Sequence, residues 1–246
     1  MKKIVVANQK GGIGKTTTAL AISSLLEGRT LFIDSDVQGN SSDTYHAKYE
    51  NVGTLYDLLF DDKCPVGDVI QHTNVGDIIG SDPLLRDAED KLRSMVGSEF
   101  VLAERLEGLD YDYCVIDTAP AMNQLLVTAL YCADELVIPV TADRYSMQGL
   151  SQLFRTLELL EKRYKKKVNV AGFLLVRNDE RTVLSKEIRV VLSSLAEKYD
   201  TKVFERSIRE CVDVKKAQTA KELLLSYSPF CNASMDYKAF IREWGV

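Results

Sequence analysis

The chain is expected to fold as one α/β domain, residues 1–246, on a mostly parallel twisted sheet with helices on both faces. Two observations carry that expectation. Short apolar runs of strand length alternate with stretches of helical spacing. The chemistry-bearing residues gather just after those runs, where an open parallel sheet builds its site.

The first apolar run is Ile4-Val5-Val6-Ala7, enough for one buried strand. It leads through Asn8, Gln9, Lys10, Gly11, Gly12, Ile13, Gly14, Lys15 and Thr16 into an amphipathic stretch around Ala19–Leu26. Strand, glycine loop and helix in that order are what a phosphate-binding loop requires. Glycines let backbone N–H groups turn inward around an anion, and the helix start adds its unpaired amides and partial positive charge. The nucleotide-binding set is then Lys10, Gly11, Gly12, Ile13, Gly14, Lys15, Thr16 and Thr17. Lys15 reaches the terminal phosphates, and the Thr16 hydroxyl is placed to ligate Mg²⁺. The usual template G-x-x-x-x-G-K-[ST] would put its first glycine at position 9, where Gln9 stands, and Lys10 leads the loop instead. A dinucleotide fingerprint fits worse, because Thr17 stands where its third glycine belongs.

A second strand, Thr30–Ile33, runs into Asp34-Ser35-Asp36. Carboxylates at i and i+2 on a strand end share a direction. Residues 41–110 carry no assigned chemistry: a short helix over 52–59, a connector near 68–70, a third strand near 77–81 and a charged helical stretch over 84–106. His46 and His72 read as loop side chains. The next landmark, Tyr111–Ile116, is an apolar strand ending at Asp117-Thr118-Ala119-Pro120. Residues 133–140 give a further buried strand, and Tyr145–Leu150 cap a long helix with Leu150, Leu153, Leu157 and Leu160 toward the core. The cations at 162–167 end that helix, where they favour its dipole. A strand over Val168–Val176 and a final helix over Asp236–Trp244 complete the pattern.

Net charge is −5, but unevenly spread: residues 1–160 carry −11 and residues 161–221 carry +7. A local basic surface on an acidic chain suits a face that meets an anionic polymer, and equally suits solvated helix faces. No apolar run approaches the ~18 residues that cross a bilayer. The N-terminal lysines lead straight into the first strand, so a removable secretion signal is not expected. Five cysteines, at 64, 114, 132, 211 and 231, include no C-x-x-C pair, so their spacing supports neither a zinc site nor a redox motif. Cys114 and Cys132 are expected in or near the core as reduced thiols.

The stretch K-G-G-x-G-K-T-T, residues 10–17, resembles the deviant Walker A motif of the ParA/MinD family of ATPases. Residues 34–40 resemble that family's D-x-D-P-Q-G-N segment, with Val37 replacing proline, and residues 111–120 resemble its Y-D-x-x-x-I-D-T-x-P, with Ala119 for a second proline. Residues 177–182 and 207–218 resemble later family segments, so the likeness covers nearly the whole chain. The resemblance implies a P-loop NTPase fold and a Mg²⁺-dependent ATP hydrolase, stimulated by a partner protein. It implies Lys10 as a catalytic cation donated across an ATP-dependent homodimer, Lys15 on the bound phosphates, and Asp36 orienting the attacking water. It implies Thr16, Asp34 and Asp117 around the metal and residues 118–121 as a γ-phosphate switch, and it leaves the adenine-contacting residues open, Asn178 and Asp179 included. Arg181 falls on a DNA-contacting arginine of some members, and Lys215 and Lys216 are further DNA candidates, although Asp213 stands where some relatives carry a DNA-contacting arginine. The function implied is a cytoplasmic, nucleoid-associated ATPase that coats double-stranded DNA without sequence preference and segregates a plasmid or chromosome with a ParB-like activator. Two alternatives stay open: a MinD-like membrane-surface switch, and a ParA-like positioning ATPase for another cargo. The tail, residues 237–246, has few cations for an anionic membrane, and stable membrane association is not expected. A helix-turn-helix extension for operator binding is not expected either.

Overall fold

The computed structural model describes residues 1–143 and 146–246, without the side chains of 146–148; the expected cap at Tyr145 lies outside the described residues. Among the described residues eight strands form one sheet: β1 (Lys2–Val6), β2 (Thr30–Ser35), β3 (Ile70–His72), β4 (Asp77–Ile79), β5 (Tyr113–Thr118), β6 (Glu135–Val140), β7 (Asn169–Asn178) and β8 (Ile208–Arg209). Their spatial order is β3-β4-β2-β5-β1-β6-β7-β8. Every pairing is parallel except β3 with β4, which closes one edge antiparallel.

Parallel strands must be covered on both faces, and the burial follows from period-2 alternation. Val5, Leu31, Ile33, Cys114, Ile116, Leu136 and Ile138 belong to one core layer. Ile4, Val6, Phe32, Val115 and Val137, from the same strands, belong to the other. The first layer packs under the helices Leu85–Ser94, Gln124–Cys132, Ser146–Tyr164 and Val183–Lys198. The second lies under Lys15–Leu25 and Asn232–Trp244. Cys114 and Cys132 are buried as expected, and so are Leu150, Leu153 and Leu160; Leu157 is partly buried beside them.

Three local differences from the sequence pattern have physical causes. The charged stretch over 84–106 is two helices, Leu85–Ser94 and Val101–Arg105, parted near Gly97 at φ +76. The connector expected near 68–70 ends in a further strand, β3, which uses the open edge of β4. The last helix starts at Asn232, capped by the Cys231 sulfur accepting from the Ser234 amide, four residues before its apolar pattern becomes visible. Its Tyr237 and Phe240 are buried, the Tyr237 hydroxyl meets the Thr18 hydroxyl at 2.9 Å, and Phe240 stacks on Trp244. The tail's apolar face is therefore spent on the domain. No described helix is long and apolar enough to cross a membrane.

Candidate active site

Parallel pairing brings the C-terminal ends of β1, β2, β5, β6 and β7 to one edge of the sheet, and register aligns them closely. Val6 of β1 and Asp34 of β2 both lie opposite Asp117 of β5. Central β1 lies between β5 and β6, with β2 to one side and β6, β7 and β8 to the other, so the loop after it opens into the crevice where strand order reverses.

That loop is held from below by Asn8, whose side chain donates to the Pro139 carbonyl at 2.7 Å and accepts from the Lys10 amide at 3.1 Å. Gly12 and Gly14 have φ of +71 and +95, and nothing would meet a β-carbon at either within 4 Å. Glycine is required there by backbone conformation rather than by space. Gly14 caps the Lys15–Leu25 helix without a side-chain partner, so the first-turn amides face outward as an anion cradle. Lys15 is buried, and its Nζ donates to the Lys10 carbonyl at 3.0 Å, spanning the loop. Burial lowers its pKa, against the raising pull of Asp117 and Asp36.

Lys10 sits differently. Its side chain is about one-third exposed, and its ammonium turns to the Thr141 hydroxyl and the Asp143 carboxylate beyond β6. One lysine lies inside the cradle and the other on its rim.

Three acids gather at the neighbouring strand ends, Asp34 and Asp117 buried beneath the cavity and Asp36 on its lining. Asp117 is fully buried; its Oδ2 accepts from the Ser41 hydroxyl at 2.8 Å, while its Oδ1 has no hydrogen-bond partner among the described residues. Burial first, then the adjacent Asp34 charge, push its pKa up to about 7, with the Thr16 and Ser41 hydroxyls pulling the other way. An orphaned carboxylate oxygen beside a threonine hydroxyl is a donor set that suits a hard cation. Asp34 is also fully buried, and both its oxygens are engaged: Oδ2 by the Ser42 amide and hydroxyl, each at 2.7 Å, and Oδ1 by the Asp36 amide at 3.1 Å. Burial raises its pKa to about 6. Both Asp34 oxygens are thus taken by protein donors of the loop that follows β2. Asp36, nearly buried, accepts from the Gln38 amide at 3.0 Å and lines the same cavity as Lys15 and Thr16.

The cavity measures about 530 Å³, within the usual range for small-ligand sites. Its far wall comes from the second half of the chain. Arg177, left-handed at φ +51, donates to the Gly12 carbonyl at 3.2 Å and to Glu210 at 2.9 Å. Gln218 donates to the Thr17 hydroxyl at 3.1 Å. Asn178, at the end of β7, is buried with both side-chain amide atoms unpartnered among the described residues. Pro120, from the segment resembling a switch, lies against Gly11 and lines the cavity.

The DNA candidates do not form one array of open cations. Arg181 is 90% exposed, but its guanidinium grips Asp179 through two bonds of 2.9 Å and lines a separate cleft with Arg206 and Arg209. That pairing holds the Asp179 carboxyl at about 2. Lys216 pairs with Asp213 at 3.0 Å, and Lys215 lines the main cavity. Sequence spacing also missed a cluster. Cys211 and Cys231, twenty residues apart, come together with Asp213 at the two helix starts beside this wall.

A family model described as an AAA domain matches residues 1–170. The chain is 32% identical over 250 residues to the sporulation initiation inhibitor protein Soj of Bacillus subtilis, covering 98% of this chain and 97% of that one. It is 31% identical over 248 residues to the chromosome partitioning protein ParA of Myxococcus xanthus, covering 98% and 86%. Among solved structures, the ATP complex of a McdA variant from Cyanothece superposes with a TM-score of 0.88 at 26% identity, covering 100% of this chain and 97% of that one. With its lysine-led glycine loop at the sheet's switch point, the chain belongs to the ParA/MinD family of deviant Walker A ATPases.

Proposed function

We propose that this ParA-type ATPase closes into a dimer around two ATP molecules, binds double-stranded DNA without sequence preference, and is reset by a ParB-like activator during plasmid or chromosome segregation. The observation that carries the reading is the division of labour between the two loop lysines. Lys15 is buried in its own cradle, whereas Lys10 sits on the rim and points to Thr141 and Asp143. A cation on the rim, rather than inside the cradle, supports a role on phosphates held by a second copy. Similar charge neutralisation in other phosphoryl-transfer enzymes is worth ~10³–10⁵ in rate.

Within one subunit, the outward amides and the Lys15 ammonium bind the phosphates, and Lys15 exchanges the Lys10 carbonyl for a phosphate oxygen. Thr16 and, through water, Asp117 would hold Mg²⁺, which would supply neutralisation of phosphate charge. Asp34 positions Asp36, whose carboxylate orients the attacking water. Asn178, whose amide donor and acceptor have no partner among the described residues, suits the edge of adenine, which presents one of each. The +7 charge of residues 161–221, including Arg181, Lys215 and Lys216, supports the DNA reading and, with it, a nucleoid-associated cytoplasmic location. The packed C-terminal helix speaks against lipid insertion.

The test is the mass of an Asp36→Ala variant in solution. It retains ATP and cannot turn it over, so light scattering at saturating ATP and Mg²⁺ gives a dimer, and the further change Lys10→Ala returns it to monomer. A monomeric Asp36→Ala protein that still binds ATP overturns the proposal.

A further inference from the structure

Two thiols converge on one carboxylate at the back of the nucleotide wall. Cys211 is the N-cap of the Val212–Ala220 helix, and Cys231 is the N-cap of the Asn232–Trp244 helix. One sulfur from each and one Asp213 oxygen all lie within 4.8 Å of one another, and all three residues are partly buried. Asp213 Oδ1 is taken by the Lys216 ammonium at 3.0 Å, which leaves Oδ2 facing the Cys211 sulfur at 4.0 Å and accepting from the Ser228 hydroxyl at 3.4 Å. Cys231 is oriented by the Ser234 amide at 3.4 Å and hydroxyl at 3.3 Å.

We propose that Cys211, Cys231 and Asp213 form a binding site for a thiophilic divalent cation of the Zn²⁺ class. Neighbouring sulfurs around a tetrahedral zinc, at metal–sulfur distances of ~2.3 Å, stand ~3.8 Å apart, so modest side-chain rotation closes the observed spread. Thiolate pairs select soft or borderline metals over Mg²⁺, which separates this site from the Thr16–Asp117 site. Three protein ligands leave a fourth position for water. A convergent carboxylate favours metal over a disulfide, which would have no use for it. The site is built without reference to the dimer or to DNA. It joins two helices that touch the P-loop helix separately, Gln218 at Thr17 and Tyr237 at Thr18.

The experiment is a titration of reduced, metal-free full-length protein with Zn²⁺ against a chromophoric chelator, and with Co²⁺ followed by thiolate-to-metal absorption. One equivalent is expected, with thiolate bands for Co²⁺. Cys211→Ser and Cys231→Ser each weaken binding by at least ~10-fold, Asp213→Asn by about 10-fold, and Cys64→Ser leaves it unchanged. Should a cysteine variant fail to fold, alkylation of the wild type read by mass spectrometry replaces it: Zn²⁺ shields residues 211 and 231 and leaves 64 reactive. Absence of chelator competition, equal loss in Cys64→Ser, or a 211–231 disulfide with no Zn²⁺ uptake by the reduced protein overturns the proposal.

Discussion

The buried acid end of the crevice and the basic surface of the chain's second half follow different rules. On the first side Asp34, Asp117 and Lys15 are all buried, so each charge must be answered by a specific neighbour or by a ligand. On the second side Arg177, Arg181 and Lys216 are half-exposed or more, and each has been answered by an adjacent acid: Glu210, Asp179 and Asp213. Exposed pairs of that kind contribute little to stability, and water or a phosphate can replace the acid. The buried side therefore commits its residues to one chemistry, whereas the exposed side keeps its cations in exchangeable pairs.

The widest separation of the two sides comes from the loop lysines. Lys15→Ala and Lys10→Ala each lower kcat by ~10³ or more, with Lys15→Ala also losing ATP affinity and Lys10→Ala keeping it. Equal loss of ATP affinity in both, measured by calorimetry, would merge the roles that the geometry separates. Asn178→Ala comes next. Deleting the unpartnered amide weakens ATP binding by ~10-fold and leaves inorganic triphosphate binding unchanged, because only the base contact is lost.

A smaller effect sharpens the electrostatic contrast. Asp117 and Asp34 titrate near 7 and 6 in the folded chain, above the ordinary carboxylate value of 3.8. The folded state then holds protons that the unfolded state has released, so stability from this pair falls as pH rises from about 4 to about 7. Thermal melts from pH 5 to pH 8 without nucleotide should show that decline, and Asp117→Asn should flatten it. Adding Mg²⁺ and ATP should reverse it at the upper end, since a bound cation favours the charged pair. The smallest change is expected on the exposed wall. Arg181→Ala lowers the log–log salt dependence of DNA binding by about 0.9, one phosphate contact, and leaves ATP hydrolysis without DNA unaltered. An unchanged slope would assign Arg181 to Asp179 alone.

Much of the buried side was legible without coordinates. A strand entering a glycine loop, a lysine and threonine opening the next helix, and acids ending β2 and β5 are local patterns whose physics is complete within a few residues. Their spacing was enough to name Lys15, Thr16, Asp34, Asp36 and Asp117 and the parallel sheet that collects them. Only the tertiary structure decided how those residues are used. Register alone puts Asp34 beside Asp117, and packing alone gives Asp34 two protein partners while leaving one Asp117 oxygen without any among the described residues. The ion pairs of Lys10 and Lys216, the unpartnered amide of Asn178 and the meeting of Cys211 with Cys231 likewise follow from burial and from which elements pack together. A sequence pattern encodes the backbone's local choices, but a side chain's partner across the fold is selected by the surface that it meets.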